Sequence, residues 1–395
     1  MFVIIQKMKK KMIIVGAGAS GLVAAILIKQ KYPNMDVLLI EKNNIVGKKL
    51  KATGSGRCNI APINESLNEF YNVYFAKKSI GDITSKEYFD TLKSFGIITK
   101  QVNNVGYYPI SESALSVVKL LENKAISLGV KIVLDTKVID YSIKDRKVYT
   151  STKKKYDFDY IVFTNGGASY SSLGGEDSLS NVFFKHGYSL AEFKPVLTPI
   201  KVKENIHKLF GVRLDAKVTL TVDNEKIFSE NGEIQFRKDG LSGIVILNAS
   251  RYVDLGAKCS LSFNALSVGK KEFNELYTYN KDFLLTLLPK ELVNYGLSRL
   301  DIEPNNIKEN DLHRIYNYFT NITFNVSGLF PLEYATVSRG GIKVDNLNFD
   351  FSSKKEKNVY FLGEIIDVDA PCGGYSLKFA ISSAIKFAKE FKLIQ

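Results

Sequence analysis

Four apolar residues, MIIV at positions 12–15, lead straight into the glycine-rich run GAGASG, and a second apolar run, DVLLIE, spans Asp36 to Glu41. Short uninterrupted runs of this kind suit strands buried in a parallel sheet. The stretch between them, about Ala19 to Lys31, has the length of a helix, so the chain begins as a βαβ unit. Helical patterns follow at Ser85 to Phe95 and Glu112 to Ser127. Two alternating stretches, GVKIVLDTKVIDYSI and RKVYTSTKKKYDFDYIVFTNGG, then predict strands, the second closing in YIVFT and the turn Asn165, Gly166, Gly167. Around Pro195 the pattern changes to VLTPIKV, KVTLTV, KIFSE and GEIQF, which predicts an antiparallel subdomain. A helical block fills about Val268 to Tyr318, and ITFNVSG returns to strand. The last stretch, NVYFLGEIIDVDAPCGGYSLKFAISSAIKFAKEF, reads as strand, acidic loop, double glycine and helix. It would complete the sheet begun at the other end, so the middle reads as an insertion into one nucleotide-binding domain.

The first turn carries a chemistry of its own. Gly16 suits a tight turn, Gly18 lets backbone approach a pyrophosphate, and Gly21 lets the helix lie close on the sheet. The pyrophosphate would rest on the helix N-terminus, which offers free N–H groups and roughly half a positive charge. Glu41, at the end of the next strand, would accept from a ribose hydroxyl and disfavour a 2′-phosphate. The long polar loop from Gly47 to Asn59, GKKLKATGSGRCN, leaves the same strand beside the expected nucleotide crevice. At the far end of the chain, Glu364 follows the buried run VYFL and can accept from the ribityl hydroxyls of a flavin. Gly373, Gly374 and Tyr375 open the final helix there, aiming backbone N–H groups at the pyrimidine edge that becomes anionic on reduction.

Composition narrows the class. At 395 residues the chain exceeds a usual single core, so two or three packed units are expected. Cys58, Cys259 and Cys372 are odd in number and widely scattered. With His186, His207 and His313 in unrelated segments, they predict no disulfide framework and no metal site, and a reducing cytoplasm fits. Cys58 and Cys372 read as small packing residues. The N-terminus imitates a signal peptide, but its apolar stretch is the fingerprint strand and helix, interrupted by glycines. The residues before Met8 read as a leader or an alternative start, and no stretch predicts a membrane span. A net charge of +13 invites an anionic partner, yet only eight of the 54 basic residues are Arg and the lysines are spread along the chain. Nucleic acid is therefore the less favoured partner.

Taken together, VGAGASGLVAA, GKKLKATGSGRCN, GLSG, SRGGIKVD and GEIIDVDAPCGGYSLKFAISSA resemble the bacterial family of FAD-binding oxidoreductases that includes aminoacetone oxidase and the bile-acid reductases of the BaiN type. The resemblance runs over nearly the whole chain. It implies an α/β fold: a Rossmann-like FAD-binding domain built from both chain ends, with an inserted β-barrel-like domain and a small helical domain. The boundaries it implies are 8–192 and 329–395 for the FAD-binding domain, 193–263 and 319–328 for the inserted β-rich domain, and 264–318 for the helical subdomain. It further implies FAD contacts by Gly16, Gly18, Ala19, Ser20, Gly21, Glu41, Lys42 and Lys49, and by Thr53, Gly54, Ser55, Gly56, Arg57, Cys58 and Asn59. Val138 would lie near the adenine, Asn165, Gly166 and Gly167 in a second nucleotide element, and Gly363, Glu364, Gly374, Tyr375, Ser376 and Leu377 around the ribityl chain and ring.

The chain departs from the family pattern at Ser376 and Lys378, where Asn and Gln are usual, and at Lys378 the local charge near the ring changes. FRKDGLSGI stands where FTHxGLSGP is usual, and Gly106, Tyr107, Tyr108, Pro109 replace a GRxFP turn. Tyr375, Tyr108, Arg237 and Asp239 are the candidate orienting groups or acids, with pairing of Arg237 to Asp239 as the structural reading of those two. The activity implied is hydride transfer between flavin N5 and a small organic substrate, either reduction of an activated C=C bond or oxidation of a small amine. NAD(P)H stays open as a transient electron donor, since no second strand-GxGxxG-helix unit is visible. The alternatives are a tRNA-modifying flavoenzyme and a non-catalytic protein that retains FAD. The oligomeric state stays open.

Overall fold

The computed structural model describes residues 9–102 and 105–394, so the leader or alternative start expected before Met8 lies outside the described residues. The chain divides into two compact units, Met1–Lys194 with Val337–Gln395, and Pro195–Thr336.

The first unit opens with β1 (Lys11–Val15), α1 (Ala19–Lys31) and β2 (Asp36–Ile40). A crossover follows through α2 (Val73–Ile80), α3 (Ser85–Ser94), the hairpin of β3 (Thr99–Val102) and β4 (Gly106–Pro109), and α4 (Ala114–Ser127). Thr84 and Ser113 cap α3 and α4 by accepting from the backbone N–H groups of Glu87 and Ser116. The chain then forms β5 (Lys131–Val133) and a small antiparallel sheet of β6 (Val138–Ser142), β7 (Lys147–Thr150) and β8 (Lys155–Asp157). It returns through β9 (Tyr160–Phe163), α5 (Ser180–Lys185) and β10 (Leu190–Val196). Gly106 to Pro109, expected as a turn, is strand β4, because its backbone pairs with Thr99 to Val102.

The second unit contains β11 (Ile200–Val202), β12 (Arg213–Val222), β13 (Glu225–Arg237), β14 (Gly240–Ser242), α6 (Ile244–Ser250) and β15 (Cys259–Asn264). Then come α7 (Lys270–Tyr279), α8 (Leu284–Leu287), α9 (Lys290–Arg299), α10 (Leu312–Thr320) and β16 (Ile322–Leu329). The six strands close into a barrel in the order β11-β14-β13-β12-β15-β16. Inward residues such as Val218, Leu220, Phe236, Leu261 and Phe324 form one core with Phe273, Leu292 and Phe319 of the helices. KIFSE and GEIQF, expected as two strands, are one continuous strand. Asn231 and Gly232 do not turn the chain; Gly232 pairs with Ala216, and its missing side chain leaves room for Val245, 3.1 Å from where a Cβ would stand.

The first unit resumes with β17 (Val337–Ile342), β18 (Val359–Phe361) and α11 (Tyr375–Glu390). Its main sheet is parallel throughout in the order β18-β9-β1-β2-β5, so the last strand pairs with β9 beside the first. Val359, Phe361, all of β9, and Met12 to Val15 of β1 are buried, as the apolar runs require. Helices α1 and α11 pack against each other. Because every strand points the same way, the segments that leave β1, β2, β9 and β18 emerge at one edge of the sheet, where ligands of such sheets bind.

Charge divides between the units in a way that its even spread in sequence conceals. Residues 195–336 hold 17 basic and 17 acidic side chains, so the whole net charge of +13 belongs to the first unit. Among the described residues no helix is long and apolar enough to cross a membrane.

Candidate functional site

Three glycines at the end of β1 do separate jobs. Gly16 has φ +103, and a Cβ there would stand 2.6 Å from the Thr164 carbonyl oxygen at the end of β9. A Cβ at Gly21 would collide with the Gly16 carbonyl oxygen, so its absence sets how close α1 lies to the strand end. Gly18 differs: its φ of −78 is ordinary, and nothing lies within 4 Å of the position a Cβ would take. Its bareness therefore serves no contact within the protein. The loop is braced by the Thr164 hydroxyl, which donates to the carbonyls of Val15 and Gly16 at 2.9 and 2.7 Å. Glu41, nearly buried, accepts from the backbone N–H of Ala17 at 2.7 Å and of Asn43 at 2.9 Å, so it orders this loop. Ala19 and Ser20 begin α1, which has no side-chain cap and no acidic residue in its first turn. Its free N–H groups and positive end therefore face that edge uncompensated.

A second cradle forms where β9 and β18 end. Glu364 accepts from Lys49 Nζ at 2.8 Å, Ser169 Oγ at 3.1 Å and the backbone N–H of Ser338 at 3.1 Å. Burial works to raise this carboxyl, but Lys49, Ser338 and Ser169 outweigh it and hold it below its ordinary value. Lys49 also donates to Ser169 at 2.9 Å, which ties the Gly47 to Asn59 loop to the C-terminal block. A Cβ at Gly167 would strike Ser338 Oγ, whereas at Gly166, as at Gly373, it would meet nothing within 4 Å. Gly373 and Gly374 have φ of +112 and +97 and deliver the chain into α11 without a side-chain cap and without an acid in the first turn, which begins Tyr375, Ser376, Leu377.

These features fit FAD. Two long helices present uncapped N-termini at one sheet edge, with side-chain-free backbone at Gly18, Gly166 and Gly373 and a fixed carboxylate at Glu364. Buried Asn59 Oδ1 and Asn165 Oδ1 have no hydrogen-bond partner among the described residues, which suits loops that gain a ligand. On the β2 side, Lys42 Nζ and Lys137 Nζ reach Glu176 at 2.8 and 3.0 Å, and buried Val138 follows. Burial works to raise Glu176, but these lysines and Ser178 bring it down to about 2.

The Thr53 to Asn59 segment is a tight loop with Gly54, Ser55, Gly56 and Cys58 all at positive φ. The Thr53 hydroxyl donates to the Leu50 carbonyl at 2.7 Å, and Arg57 pairs with Glu112 while lying 4.9 Å from the centre of the Tyr108 ring. Burial raises the Cys58 thiol to about 11, against the pull of Thr53, so it stays protonated.

A family model described as the HI0933-like protein Rossmann domain matches residues 10–390. The chain belongs to that family. Its members are FAD-binding oxidoreductases. Similar curated proteins include the 3-dehydro-bile acid delta(4,6)-reductase of Clostridium scindens, 28% identical over 93% of this chain and 95% of that one. The ribosomal RNA dihydrouridine synthase of Escherichia coli is 26% identical over 96% and 97%. Among solved structures, E. coli quinol fumarate reductase matches with a TM-score of 0.47 at 13% identity, over 97% of this chain and 70% of that one.

Against the HI0933-like pattern, the charge that Lys378 adds is compensated. Its side chain is buried, paired with Glu65 and 5.2 Å from the centre of the Tyr88 ring. The Tyr375 hydroxyl donates to the Asn64 carbonyl at 3.2 Å and lies 3.4 Å from the backbone N–H of Ser66, so both residues hold α11 to the 59–66 segment. In the second unit Arg237 does not pair with Asp239: its guanidinium stacks on Phe330 and Tyr334, and Asp239 lies 3.6 Å from His207. Sequence reasoning missed Thr164, Ser169, Glu176, Ser338, Arg339, Asp367 and Asp369. Their signal lay in the blocks TNGGASYSSLGGED, SRGGIKVD and GEIIDVD, whose polar residues meet only when distant strands come together.

Proposed function

We propose that this protein is a reductase that uses FAD to saturate a C=C bond conjugated to a carbonyl. The observation that carries the reading is the pair of uncapped helix ends at one sheet edge, found in a chain whose full-length relatives are named for two related reductions. One relative's name denotes double bonds conjugated to a 3-oxo group, the other's the 5,6 bond of uracil conjugated to its 4-carbonyl. Bound FAD would supply the hydride. In this reading Gly16, Gly18, Ala19, Ser20 and Gly21 hold the pyrophosphate, Glu41, Lys42 and Val138 the adenosine end, and Glu364 with Lys49 the ribityl chain. The segments Thr53 to Asn59, Asn165 to Gly167 and Gly373 to Leu377 enclose the ring. Tyr108 is kept as a candidate acid; burial raises its hydroxyl, with Arg57 opposing, so it holds its proton in the resting site. NAD(P)H is retained as the transient electron donor. Reduction of uridine within RNA is the second reading, favoured by the confinement of the positive charge to the first unit.

The test is an anaerobic absorbance titration of the purified protein. Bleaching of a flavin band by NADH or NADPH, and its return on adding a 3-oxo-4-ene steroid or an unmodified RNA transcript, is expected. Absence of flavin after incubation with FAD would overturn the reading. Bleaching of the band by a small primary amine without NAD(P)H, and its return on admitting oxygen, would favour an oxidase.

A further inference from the structure

Between Glu364 and the double glycine, the loop contains two buried carboxylates, Asp367 and Asp369, and both meet strand β17. Arg339 of that strand directs Nε to Asp369 Oδ2 at 2.5 Å and Nη2 to Asp369 Oδ1 at 3.1 Å, a fork on a carboxylate with no exposed side-chain surface. The guanidinium carbon lies 4.2 Å from the centre of the Tyr71 ring, and the Tyr71 backbone N–H donates to the Asp369 carbonyl at 2.7 Å. Ring and fork hold one cation rigidly while 24% of its side chain remains exposed. The neighbouring residue, Ser338, donates to Glu364, so this cation is one residue from the cradle expected to hold the ribityl chain.

Asp367 completes the group. Asp367 Oδ1 is buried and has no hydrogen-bond partner among the described residues. Burial pushes this carboxyl up, Arg339 opposes, and Asp369 adds to the rise, while the Asn72 amide donates to the Asp367 backbone carbonyl at 2.6 Å. Asp369 therefore already answers the charge of Arg339, and burial shifts Asp367 toward its neutral form.

We infer that Arg339, fixed by Asp369 and Tyr71, binds the carbonyl oxygen of the conjugated substrate during reduction. This rests on the reading of the protein as a C=C reductase. Bound reduced flavin would supply a hydride to the β carbon, and the C=C electron pair would then make the α carbon and carbonyl oxygen an enolate. Its negative charge would develop on the oxygen that Arg339 holds, and a proton from solvent would then add at the α carbon. The flavin is left oxidised by two electrons and the substrate reduced by two. A planar cation clamped before the charge appears stabilises the enolate more than the ground-state ketone.

The experiment uses FAD-loaded wild type, Arg339→Lys, Arg339→Gln and the double variant Arg339→Gln/Asp369→Asn, which removes the buried charge left by the single change. Each is reduced anaerobically and mixed with androst-4-ene-3,17-dione or with an unmodified uridine-containing RNA oligonucleotide. Flavin reoxidation gives KM and kcat, and equilibrium binding of the same probe to oxidised enzyme is measured by calorimetry. The expected result is FAD content and reducibility like wild type, with kcat/KM down at least tenfold in Arg339→Gln and in the double variant, and weaker probe binding. Arg339→Lys should fall between, because it keeps the charge and loses the fork. Wild-type kcat/KM and binding in a variant that retains FAD would overturn the inference alone. A wild type that neither binds nor reduces either probe would overturn it together with the C=C reductase reading.

Discussion

Gly18→Ala separates what the fold needs from what the cofactor needs. The position has φ −78 and nothing within 4 Å of a new Cβ, so alanine fits the folded chain without strain. Replacing glycine at a compatible position stabilises by about 0.4–1 kcal/mol through the unfolded state. Loss of glycine at an N-cap costs a similar, smaller amount, so the flavin-free protein should change by no more than about 0.5 kcal/mol. The methyl group, however, stands where the proposed site brings a phosphate close. Losing one charge-assisted hydrogen bond there costs about 1.5–3 kcal/mol, or roughly 10- to 150-fold in Kd for FAD. The assay is a fluorescence titration of flavin-free protein with FAD, paired with thermal unfolding. At an FAD concentration 100-fold above the wild-type Kd, wild type gains about 2.7 kcal/mol, whereas a variant weakened 100-fold gains only about 0.4 kcal/mol. Gly21→Ala is the contrast, because its Cβ collides with the Gly16 carbonyl; about 1–3 kcal/mol should be lost even without FAD. If Gly18→Ala bound FAD as wild type does, the pyrophosphate would not lie at this turn.

Three further outcomes follow from the same geometry. Lys49→Ala should cost about 1–3 kcal/mol, since it strands a mostly buried Glu364, and adding Glu364→Gln should recover part of the loss. Glu364 is held below its ordinary 4.5, so its contribution is present above that pH and lost as pH falls; the gap between wild type and Lys49→Ala in denaturant unfolding should narrow from pH 7 to pH 4, and a gap indifferent to pH would sink the idea. Asp367 is raised above 3.8, so its contribution is present below that value and lost as pH rises through the folded-state value; Asp367→Asn should gain thermal stability relative to wild type between pH 4 and pH 8, and a constant difference would count against the assignment. Of the three thiols, only half-buried Cys372 should react with a disulfide reagent at pH 8 before unfolding, since Cys58 and Cys259 are buried and Cys58 titrates near 11; early loss of the Cys58 thiol, mapped by mass spectrometry, would contradict this.

Local pattern revealed the nucleotide unit because its strands are buried on both faces and its turns need glycine for reasons confined to a few residues. MIIV, DVLLI and YIVF are β1, β2 and β9, and α3 and α4 begin and end within two residues of the expected bounds. The barrel was legible as alternating strands, but its closure depends on β11 pairing with β16 and the unbroken β13 on Gly232 pairing with Ala216, which no local signal marks. The site divides the same way. Gly16, Gly18 and Gly21 announce themselves within six residues, whereas Glu364 acquires Lys49, 315 residues away, and Arg339 acquires Asp369 across 30. Charge was misread by position along the chain, because the first unit is both richer in lysine and poorer in acids than the second.

The parallel sheet places β18, from one end of the chain, against β9, with β1 on its other side. During synthesis the ribosome therefore completes β1, β2 and β9 long before the strand that covers the open side of β9 exists. Between Phe163 and Val359 it must translate the entire Pro195–Thr336 unit, a delay of roughly 10–40 s at about 5–20 residues per second. Throughout that interval β9 offers an unpaired hydrophobic edge, and α1 lacks the helix that packs against it. The barrel, continuous in the chain, can fold as it emerges. The nucleotide unit therefore closes late, only once β18 has been made.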